Sequence, residues 1–197
     1  MYIMKKIILL LFIGALTFNV SAQSNSLTAG MGLLNTKVRV QLEHGFNYNM
    51  STGANLSYYM VNWKGPRLEG FYRIYFGDDN ERGMFAQAKA GAGLFSNVWD
   101  GDDLTFTSNG TTYDVYDSNS WMTVGGGIAF GGKITTTGGF VFETTLGYHF
   151  WTPPTNQYTS EYDDYYDDAL NAFETVGYYV VGPGFPLDMQ VKFGFMF

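Results

Sequence analysis

The sequence lacks cysteine, and it holds little histidine and little positive charge. Without cysteine there can be no disulfide and no lipid anchor attached to an N-terminal cysteine. The two histidines, His44 and His149, are the full supply for any site built on imidazole. Lysine and arginine number 11 against 18 aspartates and glutamates, so the net charge is −7. No basic patch is present, which argues against a nucleic-acid partner.

Long hydrophobic runs are also scarce, and the single candidate lies near the N-terminus. A lysine pair precedes an apolar segment, 7–16, and the small residues of Val20–Ala22 follow it. This order predicts a secretory signal peptide over 1–22. The alternative is an uncleaved anchor, but the run is shorter than the roughly 20 residues of a membrane-spanning helix. We therefore expect one mature domain, 23–197.

Alternation of apolar and polar residues is the dominant pattern in the mature chain. Near the C-terminus, Leu187 and Phe195 share an apolar face, while Asp188 and Lys192 share the opposite face. A period of two over such a length is typical of a β-strand that crosses a membrane. The pattern predicts strands at 26–34, 37–46, 51–62, 67–77, 83–96, 121–131, 139–151 and 187–197. We therefore predict an all-β fold, a closed antiparallel eight-stranded transmembrane β-barrel.

The lengths of the connections agree with this topology. The connections 47–50, 78–82 and 132–138 are short and fall at one end of the predicted barrel. The connections 97–120 and 152–186 are long and fall at the other end. Because membrane barrels combine short periplasmic turns with longer outer loops, we expect two long extracellular loops.

Aromatic residues make up 18% of the chain, and many fall near the predicted strand ends. Such rings would form belts at the two membrane interfaces. The predicted outer belt contains Trp63, Trp99, Trp121 and Trp151, and the predicted periplasmic belt contains Phe46, Phe76, Phe85, Phe130, Phe140 and Phe197. The alternative is a soluble barrel with its apolar faces inside. We disfavour it because eight strands leave an interior too narrow for so many large side chains.

The C-terminal strand carries a resemblance to a known class of proteins. Phe197 ends the chain, and Phe195 and Phe193 precede it at every second position. Together with the signal segment and the alternating strands, this pattern resembles the small bacterial outer-membrane β-barrels of the OmpX-like, OmpW-like and OmpA-transmembrane-like families. The resemblance covers essentially the whole mature chain. It implies a bacterial outer-membrane location among lipid and lipopolysaccharide, no cofactor, and recognition of Phe197 by the outer-membrane assembly machinery.

Charged residues alternate with the apolar ones, so they would face the lumen. We place ten there: Lys37, Arg39, Glu43, Arg67, Glu69, Arg73, Lys89, Glu143, Asp188 and Lys192. They could line a path for an ion or a solute, or they could pair across the strands as a plug. Unpaired charge is costly in a narrow interior, and eight strands leave little room for water. We therefore favour the salt-bridged plug.

Both predicted outer loops are acidic and contain no lysine or arginine. Weak candidates for a metal site are Asp100, Asp102, Asp103, Asp163, Asp164, Asp167 and Asp168. Clustered carboxylates suit Ca²⁺ or Mg²⁺, but the segment 100–103 lacks the full spacing of an EF-hand loop. A solvated acidic surface, bridged to lipopolysaccharide phosphates by divalent ions, is the simpler interpretation. An extracellular glycan or protein is the other partner we expect for these loops.

Two local structures are predicted inside the long loops. Asn109-Gly110, flanked by β-forming residues, is typical of a two-residue hairpin. Aromatic residues recur at helical spacing over 162–173, which predicts a short amphipathic helix over the mouth of the barrel.

An outer-membrane lipase, acyltransferase or protease needs a histidine beside a serine or a carboxylate. His44 falls on the lipid-facing side, and Glu143 shares a face with His149 but lies about 20 Å away along the strand. We therefore predict no catalytic residue and a non-enzymatic role in binding, adhesion or envelope integrity. The alternatives are a channel or transporter for a small or hydrophobic solute and, less favoured, a lipid-modifying enzyme centred on His149.

Overall fold

The computed structural model describes residues 24–60, 63–77, 81–97, 105–108, 111–114, 116–117, 120–154, 158–159 and 164–197. The predicted signal peptide lies outside these residues. Within them, the strands are β1 (Asn25–Gly32), β2 (Lys37–Asn47), β3 (Met50–Tyr59), β4 (Trp63–Tyr75), β5 (Gly83–Asn97), β6 (Thr105–Ser108), β7 (Thr111–Asp114), β8 (Tyr116–Asp117), β9 (Trp121–Thr135), β10 (Phe140–Trp151), β11 (Tyr158–Thr159) and β12 (Leu187–Met196). A helix, α1 (Asp164–Val180), precedes β12.

Eight of these strands close into a single barrel, in the order β1–β12–β10–β9–β5–β4–β3–β2. Every neighbouring pair in the barrel is antiparallel. The first and last strands form a seam, at which the backbone N–H of Asn25 donates to the carbonyl of Phe197 at 3.0 Å. The reciprocal bond, from Phe197 to Asn25, measures 2.8 Å. The predicted fold class, a closed antiparallel eight-stranded β-barrel, is confirmed.

The strand directions give the barrel two different ends. β2 and β3, β4 and β5, and β9 and β10 are joined by short connections at what we call the hairpin end. The connections 98–120 and 152–186 leave from the opposite end, which we call the long-loop end. The division of short and long connections between the two ends agrees with the spacing of the predicted strands.

Two strands exceed their predicted length by two residues or more, and both differences have a local cause. β4 begins at Trp63 rather than at 67. The strand can include Pro66, which has no backbone N–H, because Pro66 is paired on one side only. The ladder with β3 runs through Gly65 and Pro66, whereas the ladder with β5 skips both. β9 extends to Thr135 rather than 131, because its glycines continue the ladder instead of turning.

The alternation predicted from the sequence corresponds to an outer apolar surface and an inner polar one. Along β4, buried and exposed residues alternate without a break from Trp63 to Tyr75. Large apolar side chains point outward around the barrel, including Leu27, Met31, Val40, Leu68, Ile74, Met84, Leu94, Val124, Ile128, Ile134, Leu146 and Phe193. This distribution is the reverse of a soluble protein, in which such residues fill the interior.

The small elements lie at the long-loop end. β6 and β7 pair antiparallel, as the predicted hairpin requires, although 109–110 lie outside the described residues. β8 pairs with β11, which links the two long connections. The predicted helix is present as α1 and extends further along the chain than expected. In the part of the chain that the structure describes, no helix has the length and apolar character to cross a membrane.

Candidate functional site

The interior of the barrel is the candidate site, because charged side chains converge there. The structure brings all ten charged residues predicted for the lumen into the interior, and each is at most 6% exposed. Ion pairs divide most of them into two groups. The hairpin-side cluster consists of Glu43, Arg73, Lys133, Glu143 and Lys192. The central cluster consists of Lys37, Arg39, Glu69, Lys89 and Asp188.

Arg73 organises the hairpin-side cluster. Its guanidinium donates to Glu43 at 2.9 Å and to Glu143 at 2.8 Å, and its remaining N–H groups reach Gln87. A guanidinium presents a planar fork of donors that suits several carboxylate oxygens at once. Lys192 contacts Glu143 as well, and it donates to the Gln41 side chain at 2.7 Å. The buried guanidinium of Arg73 therefore has carboxylate and amide oxygens as acceptors in place of water.

Glu43 completes the cluster from β2, which lies across the barrel from the strand of Lys133. Lys133 donates to it at 3.2 Å, and the hydroxyls of Ser51 and Tyr75 donate at 2.6 Å and 2.7 Å. A buried carboxylate needs several donors to offset the loss of its hydration. Neutral hydroxyls supply part of that solvation here, so the cluster does not depend on ion pairs alone.

Asp188 organises the central cluster. Its carboxylate accepts from Lys37 at 2.8 Å, from Lys89 at 2.6 Å and from the Gln190 amide at 2.6 Å. These residues come from β2, β5 and β12, which lie on different sides of the barrel. The contacts therefore cross the lumen rather than run along its wall.

Arg39 joins the two carboxylates of the central cluster. It is bonded to Glu69, and its Nη1 lies 3.7 Å from Asp188. It also donates to Ser57 at 2.7 Å and to the Gln190 side chain at 2.9 Å. With these bonds, the middle of the described barrel contains a continuous network rather than an open polar channel.

Aromatic rings fill the interior near the long-loop end. Phe95 contacts Tyr59 edge-on, with ring centroids 5.3 Å apart, and lies 5.7 Å from Trp121. Trp63 and Trp151 are buried with them. We call these rings, together with Tyr178 from α1, the aromatic plug. Offset and edge-on ring pairs of this kind add to the stability gained by burial alone.

The orientation of the tryptophans differs from the outer belt predicted from the sequence. Trp63, Trp121 and Trp151 do lie at the long-loop ends of their strands, but they pack inward. Trp99 lies outside the described residues. Phe85, predicted for the periplasmic belt, is likewise buried, and its ring lies 3.8 Å from the Arg73 guanidinium. The other five phenylalanines of that belt face outward.

Glycine makes room for these large inward side chains. Gly131 of β9 faces the interior of the barrel, and a Cβ atom there would lie 2.4 Å from the Phe85 ring. At Gly127, a Cβ atom would meet His149 at 2.6 Å. The run of glycines in β9 therefore reflects close packing against bulky neighbours.

The end of α1 closes the mouth of the barrel. Tyr178 is buried against Trp63 and Trp121, with ring centroids 6.3 Å away in each case. Its hydroxyl lies 3.2 Å from Thr123, whose own hydroxyl donates to the carbonyl of Thr152. Tyr178 is therefore the donor in this pair. Burial raises the pKa of Tyr178 to about 12, so the hydroxyl keeps its proton at ordinary pH.

Tyr179 holds the same turn of α1 to the outer rim. Its ring stacks on Phe150 with centroids 5.9 Å apart, and its hydroxyl donates to the carbonyl of Trp151 at 2.9 Å. Phe150 faces outward from β10. Adjacent tyrosines thus hold the helix from inside and outside the barrel wall.

The two histidines have structural contacts. His149 is buried, and its Nε2 lies 2.7 Å from the carbonyl of Phe185, so Nε2 carries the proton and donates. Its Nδ1 is 3.8 Å from Asp188. His44 lies 2.7 Å from the side chain of Asn25 near the seam. Neither contact is that of a base with a serine nucleophile.

The metal candidates are not brought together in the described part of the chain. Asp100, Asp102, Asp103 and Asp163 lie outside the described residues. Asp164, Asp167 and Asp168 belong to the first turns of α1. Within the described residues, no group of three or more histidine and acidic side chains is arranged to hold a metal ion.

Several interior residues were missed by reasoning from the sequence. Lys133 was assigned to a turn, yet it is a member of the hairpin-side cluster. Ile134, which faces outward next to it, continues the alternation of β9 and was the available signal. Tyr75 carries no charge and was not named for either face of its strand, although its parity with Arg73 would have placed it inside. Gln41 belongs to the polar face predicted for its strand and faces inward, as Arg39 does.

Comparison with known proteins does not carry the assignment of the fold. No protein-family model matches the chain, and no curated protein matches it. Among solved structures, the chain is similar to the N-terminal β-barrel domain of Pseudomonas aeruginosa OprF, at 12% identity, over 89% of this chain and 96% of that chain, with a TM-score of 0.48. The assignment of an eight-stranded barrel depends on the strand pairing described above.

Proposed function

We propose that this protein is an outer-membrane β-barrel whose filled interior makes it a non-enzymatic anchor, and that its long-loop end binds a partner outside the cell. The observation that carries the proposal is the reversed distribution of side chains. Charged groups are buried in the interior, and large aliphatic and aromatic groups cover the outside of the strands. Closed barrels satisfy their backbone groups internally, which is the condition for crossing a lipid bilayer with strands.

The hairpin end supports the same proposal through its aromatic residues. Phe76, Phe130, Phe140 and Phe195 face outward near this end, and Tyr48 in the β2–β3 turn is 83% exposed. Rings at this height are favourable where hydrocarbon meets the polar headgroup region. The hairpin end would then lie on the periplasmic side, which agrees with the signal peptide expected at 1–22.

The filled interior weighs against the alternative of a solute channel. The hairpin-side cluster, the central cluster and the aromatic plug occupy successive levels of the described barrel. The contacts within each level join strands from different sides of the barrel, so a solute would have to break ion pairs at two levels. Leaving one charge of a buried ion pair without its counter-charge costs about 3–5 kcal/mol.

A binding role is supported by what the long-loop end presents. Phe173, Val176 and Val180 lie on one side of α1 and are at least 59% exposed. The segments 97–120 and 152–186 carry 11 of the 18 acidic residues and no basic residue. An apolar stripe beside strong negative charge favours a partner with a basic and partly apolar surface, such as an extracellular protein, or lipopolysaccharide bridged by divalent ions.

Epitope insertion tests the location and the orientation together. One short epitope is inserted at position 119 in a long connection, and a matched one at position 79 in a hairpin-end turn. We expect both variants in the outer-membrane fraction, with antibody binding to intact cells for the insertion at 119 alone. The insertion at 79 should be detected after permeabilisation. Recovery of the protein in the periplasm, or labelling of 79 on intact cells, would contradict the proposal.

Flux through proteoliposomes tests the closed interior separately. Vesicles with the purified full chain should release a small neutral sugar and potassium ions at the rate of empty vesicles. A general porin reconstituted at the same density serves as the positive control. Release well above the empty vesicles would replace the anchor by the channel, while leaving the membrane location intact.

A further inference from the structure

The barrel interior holds more positive than negative charge. Among the described residues, the buried charged side chains are seven basic groups and four carboxylates, an excess of three positive charges. Charge buried without a counter-charge is costly, because water is lost and nothing replaces it. Either some basic groups are neutral, or a negative ion is bound among them.

Each cluster has one more cation than carboxylate, and Arg67 supplies the third excess charge. This side chain is fully buried, but its Nη2 is 3.9 Å from the nearest carboxylate oxygen, on Glu69, which is too long for a hydrogen bond. Its Nη1 donates to the carbonyl of Pro183 at 3.1 Å. Its Nε and Nη2 have no acceptor among the described residues. An arginine cannot relieve this by losing its proton, because guanidinium remains charged in proteins.

A second buried arginine on the same strand shows the difference. Arg73 is equally buried on β4, and its guanidinium nitrogens bond to Glu43, Glu143 and Gln87. Arg67 has no comparable set of acceptors. The absence of acceptors is therefore particular to Arg67 and is not a general property of arginines in this barrel.

The surroundings of Arg67 are aromatic. The guanidinium carbon lies 4.2 Å from the centre of the Trp151 ring and 4.8 Å from that of Tyr59. These rings pack against the guanidinium and offer no acceptor for its Nε and Nη2 groups. The indole N–H of Trp151 also lacks an acceptor. The unpaired Nε and Nη2 donors of Arg67, in a buried, positively charged and ring-lined position, suit a small anion.

We infer that Arg67 binds a small monovalent inorganic anion, of the size and charge of chloride, in the interior near the long-loop end. The anion accepts from Nε and Nη2 of Arg67 and offsets part of the excess charge. Because Nη1 of Arg67 holds the carbonyl of Pro183, the same ion stabilises the turn that follows α1. This inference concerns the barrel interior, and it holds whether or not the long loops bind a partner.

Ion-dependent stability of the purified full chain in detergent tests the inference. Chloride is exchanged for gluconate, a bulky organic anion, at constant ionic strength, and the thermal midpoint is followed. A ligand bound by the folded state alone raises the midpoint as its concentration rises. We expect chloride and bromide to raise it by a few degrees relative to gluconate. Equal midpoints in all three salts would overturn the inference.

Three variants separate a site at Arg67 from general effects of salt. Arg67→Met should lose the dependence on chloride and still fold, since it removes a charge that lacks acceptors. Arg67→Lys keeps the charge and should bind about tenfold more weakly, because the fork of donors is lost. Lys64→Met alters an exposed basic residue on the same strand and should keep the full response. A full response in Arg67→Met would overturn the assignment to this residue.

Discussion

The ammonium group of Lys133 lies 3.2 Å from Oε2 of Glu43, and the two residues come from strands on opposite sides of the barrel. β9 and β2 are four positions apart in either direction around the eight strands. This ion pair therefore spans the full width of the interior. A barrel whose charged groups meet across its diameter has no continuous column of water at that level.

The exterior of the barrel gives the most direct test of a lipid environment. Ile128 lies at the middle of β9 and is 59% exposed. For Ile128→Arg in a bilayer, we expect a loss of about 2–4 kcal/mol in the free energy of unfolding. Tyr48→Arg, at the hairpin end, should lose about 0–1 kcal/mol because it lies near the interface. Denaturant unfolding in lipid vesicles measures both, and equal small losses would indicate a soluble surface.

The hairpin-side cluster should respond differently to single and double substitution. Glu143→Met leaves Lys192 without its carboxylate partner and Arg73 with Glu43 alone, and should lower the free energy of unfolding by about 3–5 kcal/mol. Adding Lys192→Met removes one unpaired cation, so the double variant should recover part of that loss. Unfolding in urea gives the four corners of the cycle. A double variant as unstable as the sum of the single ones would contradict a coupled cluster.

The closure of the mouth depends on Tyr178. Tyr178→Ala removes a fully buried ring from the aromatic plug and should release the end of α1 from the barrel. We expect faster amide hydrogen exchange over 171–186, with the strands unaffected. Phe173→Ala, at a position that is 79% exposed on the same helix, is the matched control. If both variants exchange at the wild-type rate, Tyr178 does not hold the helix.

His149 should have no catalytic role. Its Nε2 donates to the carbonyl of Phe185, which leaves that nitrogen unable to accept a proton from a nucleophile. We expect neither the wild-type chain nor His149→Ala to hydrolyse phospholipid or acyl esters, and both should fold. Turnover by the wild-type chain that His149→Ala abolishes would restore the enzymatic interpretation.

The fold was predictable because the decisive signal is local. Alternation over a single strand states which residues share a face, and the eight predicted strands correspond to the eight that form the barrel. The direction of the tryptophans was also present in that signal. Trp63 has the same parity as Arg67 and Glu69, which face inward. The expectation of an interfacial belt outweighed the parity and gave the wrong orientation.

The partners inside the barrel were not predictable in the same way. Parity places Glu43, Arg73 and Lys133 on inward faces, but it does not say how far each lies along the axis. That depends on the stagger between strands, which is a property of the closed barrel. The contact of Tyr178 with Trp63 is similar, because it depends on where a long connection returns to the rim.

The seam between β1 and β12 has a consequence for assembly. β12 supplies Asp188, which forms ion pairs with Lys37 and Lys89 from strands much earlier in the chain. A sheet that lacks this last strand would hold those cations with no Asp188 to neutralise them, and such a sheet could not enter hydrocarbon cheaply. Insertion and closure are therefore expected to be concerted, because the final strand brings the carboxylate that neutralises these lysines as the barrel enters the bilayer.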